Sequence, residues 1–335
     1  MSAVTQTTWI DSTVSPANDE SADRLVYDSI AELIPSLAKP SPMVRVGGRF
    51  NPHEQFELLL KLEGLNPFGS IKDRTAQYML SGLQLRPDQA LVEPTAGNTG
   101  IALAALANAM GTPIEIAVPD GTPEEKKQML RFLGAELIEV EDEACPLFPS
   151  EGARGVVKAM VESAAYNGKY VSPNQYESAL NVEAHYRTTG PEIWRQTKGE
   201  ITHFFSGIGT GGTITGVGRY LKEQNPNVRI MAVEPSLRNH QLSGLKRVTG
   251  LPDDHFPEIL DRNVVDEYIS VSDEEAFGAG IRLARREGIM VGPTTGALLH
   301  AAVEFAADKR GQAVIIAGDS AAKYISSYAN YFNQS

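Results

Sequence analysis

Cysteine is almost absent from the chain: Cys145 is the single one in 335 residues. One cysteine excludes an intrachain disulfide bond and a cysteine-rich metal site, and it is typical of proteins from a reducing compartment. We therefore expect a cytoplasmic protein and predict no metal site. Cys145 precedes Pro146 in an acidic stretch, and we interpret it as an unreactive loop residue.

Basic residues are also scarce. The chain has 30 Lys and Arg against 42 Asp and Glu, a formal net charge of -12, and such an acidic protein is a poor partner for nucleic acid or an anionic membrane. No run approaches the roughly 18 apolar residues of a membrane span. Lys and Arg are missing before Arg24, which argues against a signal or transit peptide. We predict that residues 1–40 form a polar N-terminal arm.

What the sequence does contain is a regular alternation of strand-like and helix-like segments from about Met43 onward. Short apolar strands that alternate with helices predict parallel sheets covered on both faces. The units are too many for one small sheet, so we predict an α/β fold of two lobes, each with an open, mostly parallel sheet flanked by helices. The polar segment from Arg238 to Asp266 is long for a loop and is predicted to be a lid or specificity segment.

The first strand-to-helix junction with chemical content is NPFGSIKDR, residues 66–74. In open parallel sheets, ligands bind at such junctions, beyond the carboxyl ends of the strands. Ser70 and Asp73 have the spacing of a capping box, which places Lys72 in the first helical turn. An ammonium group is unfavourable at the positive end of a helix dipole, whereas a lysine in a Schiff base with a carbonyl cofactor is not. The alternative is a solvated lysine at a helix start.

The second junction, EPTAGNTG at residues 93–100, precedes an apolar helix. Its hydroxyl, amide and glycine residues at a helix N-terminus can bind a carboxylate through backbone N–H groups. Helix capping by Asn98 or Thr99 explains the same residues. Both interpretations stay open on this segment alone.

The third junction, SGIGTGGTITG at residues 206–216, is rich in glycine. Closely spaced glycines let the backbone fold around an anion at the N-terminus of the next helix, so the segment predicts a phosphate cradle. Gly207, Gly209 and Gly212 also match the G-x-G-x-x-G spacing of a dinucleotide site, with Glu234 about 20 residues later. The dinucleotide interpretation is weaker because Glu234 leads into Pro235 and the polar segment instead of a further βαβ unit.

Polar residues also follow the last predicted strand, where Asp319 and Ser320 come directly after AVIIAG. A hydroxyl or carboxyl group there can contact the nitrogen of a heterocycle, and capping of the final helix is the alternative. GPTTGA, residues 292–297, is interpreted as a further glycine- and hydroxyl-rich turn before a helix.

As an ordered set, the motifs NPFGSIKDR, EPTAGNTG, QYESALN, GIGTGGTITG, GPTTGALLH and DSAAKY resemble the fold-type II pyridoxal-phosphate enzymes, specifically the cysteine synthase and cystathionine β-synthase group. The resemblance covers about Pro40 to Tyr328. It implies a tryptophan synthase β-like fold, pyridoxal 5'-phosphate as cofactor and a homodimer. It further implies a large cofactor-binding lobe of residues 41–80 plus 180–335, and a smaller mobile lobe of residues 81–179 that carries the loop for the substrate carboxylate.

The resemblance also implies roles for individual residues. Lys72 is expected to be the Schiff-base lysine and the base at Cα, and Asn98 the partner of the cofactor's ring oxygen. Ser320 is expected to meet the pyridine nitrogen, and a hydroxyl there leaves the ring largely neutral. The expected phosphate cradle is Gly209, Thr210, Gly211, Gly212 and Thr213. The expected substrate-carboxylate residues are Thr95, Ala96, Gly97, Thr99 and Gln175.

The implied reaction is β-replacement on O-phosphoserine or O-acetylserine through an aminoacrylate, with sulfide or a thiol as nucleophile. GEITHFFSGIGTGGT, TTGALLHAA and KYISSYANYF resemble the O-phosphoserine-dependent enzymes of the group more closely. In those a basic lid residue meets the substrate phosphate, which points here to Lys246 or Arg247. A solvated charge on the lid segment is the alternative. Ala96 stands where the group usually has serine, so an amine or unusual thiol nucleophile stays an alternative. β-Elimination to a keto acid, without any added nucleophile, is a separate alternative with the same cofactor. A binding protein without activity is the remaining alternative.

Overall fold

The structure is a computed structural model and describes residues 26–141 and 151–332, with only the backbone of Asp254. Cys145 and residues 1–25 of the predicted arm lie outside the described residues.

Strands and helices alternate through most of the described chain. In chain order the strands are β1 (Met43–Arg45), β2 (Phe56–Leu62), β3 (Ala90–Pro94), β4 (Ile114–Pro119), β5 (Glu136–Val140), β6 (Tyr170–Val171), β7 (His203–Gly207), β8 (Arg229–Pro235), β9 (Glu267–Val271) and β10 (Gly311–Ala317). The helices are α1 (Lys72–Ser81), α2 (Asn98–Met110), α3 (Glu124–Phe132), α4 (Gly152–Glu162), α5 (Ala179–Ala184), α6 (Gly190–Gln196), α7 (Gly212–Gln224), α8 (Asp273–Glu287), α9 (Pro293–Ala306) and α10 (Ile325–Ala329).

The strands form two sheets. The larger has six strands in the order β1-β2-β10-β7-β8-β9, and the smaller has four in the order β5-β4-β3-β6. Only β1 and β2 pair antiparallel; every other pair is parallel. The predicted α/β class with open, mostly parallel sheets flanked by helices is thus confirmed.

Both sheets are covered on both faces, which explains why their central strands are continuously apolar. In the smaller sheet, Leu91 packs into one core with Leu103 of α2, whereas its neighbour Val92 packs into another with Val157 of α4. Successive side chains of a strand point to opposite faces, so one strand of ALVEP supplies both cores. The larger sheet has a single extensive core between its helices.

α1 leaves the larger sheet but packs against the smaller one. Its Ala76 and Met79 belong to the same apolar core as α2, and so do Ala31 and Ile34 from the end of the predicted arm. The boundaries predicted for the two lobes, with α1 in the large one and residues 1–40 as an arm, stay predictions. Within the described residues, no helix combines the length and the apolar character needed to cross a membrane.

Candidate active site

A cavity of about 390 Å³ lies at the carboxyl ends of the strands and is lined by residues of both sheets. This volume suits a small ligand, for which pockets of roughly 300–1,000 Å³ are usual. The cavity brings together most of the residues singled out in the sequence: Lys72, Thr95, Ala96, Gly97, Asn98, Thr99, Gln175, Gly209, Thr210, Gly211, Gly212, Thr213 and Lys246. Ser320 and Arg247 are not among its lining residues, whereas Asp319 is.

Lys72 is the first residue of α1 and lines the cavity. Burial lowers the pKa of its ammonium group, against the opposing charges of Asp319 and Asp73. Asp73 does not complete the predicted capping box. Its carboxylate instead accepts the N–H of Phe68 at 2.7 Å and the hydroxyl of Ser70 at 3.3 Å, which closes the turn that leads into Lys72.

A fully buried network of charges lies behind the start of α1. The guanidinium of Arg74 donates to the carboxylates of Glu63 at 2.8 Å and Glu192 at 2.6 Å, and Lys61 donates to Glu192 at 2.6 Å. Burial disfavours the charged form of Glu63, but Arg74 more than offsets it and holds the pKa of Glu63 at about 2. The network ties α1 to β2 and α6 and fixes the helix that carries Lys72.

The start of α2 offers unpaired backbone donors to the cavity. Gly97 precedes the helix without a side-chain cap, and in the described part of the chain no acceptor contacts the N–H groups of Asn98 and Thr99. The hydroxyl of Thr99 donates to Oε1 of Gln175 at 2.8 Å. The capping alternative for Asn98 and Thr99 is therefore not what the structure shows.

Glu93, at the end of β3, holds the segment that carries Gln175. Its buried carboxylate accepts the N–H groups of Gln175 and Asn174, both at 2.9 Å, and the hydroxyl of Ser172 at 3.0 Å. Burial raises the pKa of Glu93 to about 7 even though these hydrogen bonds favour its charged form. Glu93 is the first residue of EPTAGNTG, but nothing in the sequence indicates that it holds the segment of Gln175.

The glycine-rich segment forms the N-terminal end of α7. Gly211 adopts a left-handed backbone with φ 93°, and in the chain as described the N–H groups from Gly209 to Gly212 meet no acceptor. Several of these glycines are also required by packing, because a Cβ on Gly209 would lie 2.5 Å from the carbonyl oxygen of Gly244 and one on Gly212 would lie 2.2 Å from Oδ1 of Asn181. Free donors and close packing together account for the glycines.

Two polar residues of the segment after QYES form hydrogen bonds with the threonine side chains of this turn. Asn181 donates to the hydroxyl of Thr210 at 3.0 Å, and Nε2 of His185 contacts the hydroxyl of Thr213 at 3.1 Å. Burial lowers the pKa of His185 to about 3, and the charge of Lys72 adds to this. The imidazole is therefore neutral at physiological pH.

The orientation of the Asn98 amide is fixed by Lys323, a residue that was not selected from the sequence. Lys323 donates to Oδ1 of Asn98 at 2.8 Å, so Nδ2 faces the other way and donates to Oδ2 of Asp319 at 2.7 Å. The hydroxyl of Tyr324 donates to the same carboxylate oxygen at 2.6 Å. Ser320 turns away: its hydroxyl accepts the N–H of Ala322 at 3.4 Å.

The polar segment after β8 folds over the glycine-rich turn. The N–H of Lys246 donates to the carbonyl of Ile208 at 2.7 Å, which places Lys246 at the cavity, while the guanidinium of Arg247 donates to the carbonyl of Ser236. Glu234 anchors the segment by accepting the N–H groups of Val248 at 2.8 Å and Thr249 at 3.0 Å. The carboxylate of Glu234 is therefore engaged in hydrogen bonds to the polar segment and is not available for the ribose of a dinucleotide.

The lining of the cavity is more basic than the protein as a whole. Lys126 and Arg154, which lie outside every motif of the sequence, join Lys72 and Lys246, so four cationic side chains face two acidic ones. Lys126 donates to the hydroxyl of Ser243 at 3.0 Å and thereby connects α3 of the smaller sheet with the lid segment. In a chain of net charge -12, a cavity with this excess of cations is suited to anions.

Comparison with known proteins agrees with this geometry. A family model described as pyridoxal-phosphate dependent enzyme matches residues 34–318. The chain belongs to this family. A cysteine synthase from Aquifex aeolicus is 38% identical over 310 residues, which cover 89% of this chain and 92% of that protein.

Solved structures of family members are also similar. The crystal structure of cysteine synthase (OASS) from Entamoeba histolytica has a TM-score of 0.80 at 29% identity and covers 97% of this chain and 94% of that one. The structure of O-ureido-L-serine synthase has a TM-score of 0.78 at 30% identity, with 90% of this chain and 94% of that one covered. The predicted family, fold and cofactor are confirmed, and the dinucleotide alternative is dismissed.

The residues of this family member fit pyridoxal phosphate. The cofactor needs an amine for its aldehyde, donors for its phosphate and a donor for its ring oxygen. Lys72 supplies the amine, the acceptor-free N–H groups at the start of α7 suit a phosphate, and Nδ2 of Asn98 is a donor at the cavity wall.

Proposed function

We propose that this enzyme replaces the β-substituent of an activated serine with sulfide or a small thiol and so produces cysteine or a cysteine analogue. One observation carries the proposal: Lys72, the N-terminus of α2 and the N-terminus of α7 line a single cavity. An amine, a carboxylate site and a phosphate site are the three requirements for holding pyridoxal phosphate and an amino acid together.

The cofactor, when bound, supplies an electron sink that makes the Cα–H of the amino acid acidic. Lys72 would hold the cofactor and then remove the Cα proton, a task for which its lowered pKa is suited. The cradle from Gly209 to Thr213 would bind the cofactor phosphate, and Asn98 its ring oxygen.

The substrate carboxylate is proposed to bind the N–H groups of Asn98 and Thr99, with Thr95 and Gln175 beside them. The Glu93 clamp keeps Gln175 at the end of β3, so the carboxylate site is preformed before the substrate arrives. Such a site orients Cα toward Lys72 and excludes water from the reacting bonds.

We further propose that the β-substituent of the bound substrate already carries negative charge before it leaves, which favours O-phosphoserine over O-acetylserine. Lys126, Arg154 and Lys246 add positive charge to the cavity wall beyond Lys72. Charge-assisted hydrogen bonds to a phosphate are roughly twice as strong as neutral ones, so these residues discriminate a phosphate from an acetyl group. Lys246 is the preferred candidate because its backbone is fixed to Ile208 at the mouth of the cradle.

The reaction is tested with purified holoenzyme by product analysis. We expect O-phosphoserine plus sulfide to give cysteine and phosphate, and the visible absorption of the bound cofactor to change on addition of O-phosphoserine alone. Release of pyruvate at the same rate with and without sulfide would instead establish β-elimination. Consumption of the donor only with an amine would establish a different nucleophile.

The leaving group is tested with Lys246→Ala and its neighbour Arg247→Ala as the matched control. Both remove one cation from the lid segment, but only Lys246 lines the cavity. We expect Lys246→Ala to lower kcat/KM for O-phosphoserine by about 10- to 100-fold, as for loss of one hydrogen bond to a charged group, with little change for O-acetylserine. Equal losses for both donors, or a larger loss in Arg247→Ala, would contradict an anion site at Lys246.

Three wider expectations accompany this function. We propose that the part of the chain built on the smaller sheet closes over the substrate, with the Lys126–Ser243 hydrogen bond as part of the closed contact. We propose a homodimer on the family resemblance. We propose a reducing compartment such as the cytoplasm on the single cysteine.

A further inference from the structure

Tyr176 lies in the wall of the cavity, one residue after Gln175. It belongs to the segment between β6 and α5, and the reaction proposed for this enzyme gives its side chain no task. The buried carboxylate of Glu93 accepts the N–H groups of Asn174 and Gln175, both at 2.9 Å. Because the two preceding residues are held at the end of β3, the ring of Tyr176 starts from a fixed point of the backbone.

Two cationic side chains lie against this ring. The guanidinium carbon Cζ of Arg154 is 4.3 Å from the ring centre, and Nζ of Lys246 is 5.0 Å from it. Cations within about 6 Å of the centre of an aromatic ring are attracted to it. Arg154 lies on α4 beside the smaller sheet, whereas Lys246 lies on the lid segment beside the glycine-rich turn of the larger one. One ring thus contacts cations from both parts of the cavity wall.

Arg154 is anchored by carboxylates. Its Nη2 atom is 3.1 Å from Oε1 of Glu177 and 3.4 Å from Oε1 of Glu258, and only 10% of its side chain is exposed. These carboxylates fix the position of the guanidinium and offset its charge. Arg154 therefore supports the ring of Tyr176, and the ring in turn extends to Lys246.

An aromatic ring holds a cation in a different way from a carboxylate. The face of the ring attracts the ammonium group through its quadrupole but carries no net charge, so the ring holds Lys246 without neutralising it. Lysine has a flexible four-carbon stem, and ordering that stem costs conformational entropy. Contact with the ring restricts the stem before the substrate arrives and lowers this cost at binding.

We propose that Tyr176 is a positioning residue that directs the ammonium group of Lys246 toward the β-substituent and so makes the enzyme selective for a doubly charged phosphate. The inference rests on the proposed binding of that substituent at Lys246. A phosphate monoester loses its second proton with a pKa of about 6, so it is mostly a dianion at about pH 7 and mostly a monoanion at about pH 5. Because Coulomb attraction grows with charge and falls with distance, a cation held in one place discriminates between the two forms more sharply than a mobile one.

The experiment compares kcat/KM for O-phosphoserine and O-acetylserine in holoenzyme of the wild type, Tyr176→Phe and Tyr176→Leu. Both donors carry the same amino and carboxylate groups, so the ratio of the two values cancels what those groups contribute and any loss of folded or cofactor-loaded protein. In the wild type we expect the ratio to rise about 10-fold from about pH 5 to 7, which is the increase in the dianion fraction. The charged and titratable groups that line this part of the wall or pair with it are the same in all three proteins and cancel between the profiles: Lys72, Lys126, Glu151, Arg154, Glu177, Lys246, Glu258, Asp319 and Tyr324.

Tyr176→Phe keeps the ring and is expected to keep both the ratio and its rise with pH. Tyr176→Leu removes the ring and is expected to lower the ratio at neutral pH by about 3- to 30-fold, the range for loss of one contact between a cation and an aromatic ring, and to flatten its rise. A purely structural role of Tyr176 would lower kcat/KM for both donors together and leave the ratio unchanged. Tyr176→Met, also without a ring, serves if Tyr176→Leu does not fold.

Lys246→Ala supplies a second readout, because it removes the cation that the ring positions. In that background Tyr176→Leu is expected to leave the ratio where it is. Equal ratios in Tyr176→Phe and Tyr176→Leu, a ratio in the wild type that does not change with pH, or a further fall in the Lys246→Ala background would overturn the inference while O-phosphoserine is still turned over. A holoenzyme that accepts only O-acetylserine would overturn the anion site as well, and one that accepts neither donor would contradict the proposed function itself.

Discussion

The starts of α1 and α2 face the same cavity but are built in opposite ways. The first turn of α1 consists of charged residues, Lys72, Asp73 and Arg74, and Arg74 pairs with the buried carboxylates of Glu63 and Glu192. The first turn of α2 contains only neutral groups, and its polar contacts are hydrogen bonds such as that between Thr99 and Gln175. The helix that carries the reactive lysine is held by buried ion pairs, which are strong but cost free energy of desolvation. The helix proposed to bind the substrate keeps its first backbone N–H groups without acceptors among the described residues.

The strongest test of this contrast is Lys72→Ala. Without the amine the cofactor has no covalent attachment and the Cα proton no base, so we expect kcat/KM to fall by at least about 10³-fold. Borohydride reduction followed by mass spectrometry should locate the cofactor on Lys72 in the wild type. Lys158→Ala, at an exposed position on α4, is the control and should retain the modification. A cofactor recovered on any other lysine would remove Lys72 from the site.

Glu192→Gln tests the charged anchor of α1. The substitution removes the charge that partners Arg74 and Lys61 while conserving shape, and breaking a buried ion pair costs about 3–5 kcal/mol. Denaturant unfolding measures the loss. Thr99→Val, which breaks a neutral hydrogen bond at α2, should cost only about 1 kcal/mol.

Asp88→Asn completes that comparison, because the Arg86–Asp88 pair is an exposed one, with 54% and 72% of the two side chains accessible. Exposed pairs contribute about 0–1 kcal/mol. If Glu192→Gln cost no more than Asp88→Asn, the buried network would not be an anchor.

Glu93 gives the smaller sheet a pH dependence. Because burial raises the pKa of Glu93 from 4.5 to about 7, the folded protein keeps a proton that the unfolded chain loses. The free energy of unfolding therefore falls as pH rises from about 4.5 to 7, by about 3 kcal/mol, and is level above. Glu93→Gln should lack this decline. Asp73, whose pKa is also raised to about 7, titrates in both proteins and cancels in the difference between their pH profiles. Parallel profiles would show that Glu93 is charged throughout.

The smallest effect is expected for Ala96→Ser, which tests only the start of α2. Ala96 lines the cavity where the group that this chain resembles has serine. A hydroxyl there adds one hydrogen bond to the substrate carboxylate, about 0.5–1.5 kcal/mol, and so lowers KM by about 2- to 10-fold with little change in kcat. An unchanged KM for every donor would place the carboxylate elsewhere.

Much of the fold was predictable because apolar periodicity marks the elements. The apolar helix predicted after EPTAGNTG is α2, and the strand-like apolar segments ALVEP and VRIMAVEP are the buried strands β3 and β8. GPTTGA was predicted to be a turn, yet it is the first turn of α9, since Pro293 suits the first helical position. β9 is not marked by this signal, because the edge strand is half exposed and lacks a continuous apolar run.

Site residues were predictable where a recognisable motif follows the end of a strand. Site residues outside such motifs were not predictable. Lys72 and the glycine-rich turn belong to such motifs. Whether Asp319 or Ser320 faces the cavity could not be read from the sequence, because strand alternation stops at Ala317 and the turn decides the direction. Lys126 and Arg154 lie on helices with no motif, and only the tertiary fold brings them to the cavity.

The excess of cations inside a strongly acidic protein has a consequence for how substrates arrive. At a distance an anionic amino acid meets a repulsive field, and it is attracted only within the mouth of the cavity. Dissolved salt weakens interactions beyond about 8 Å at physiological ionic strength but acts less on groups in the partly buried interior. Added salt at moderate concentration should therefore raise the association rate of a charged donor, the opposite of the behaviour of enzymes that guide their substrates in from afar.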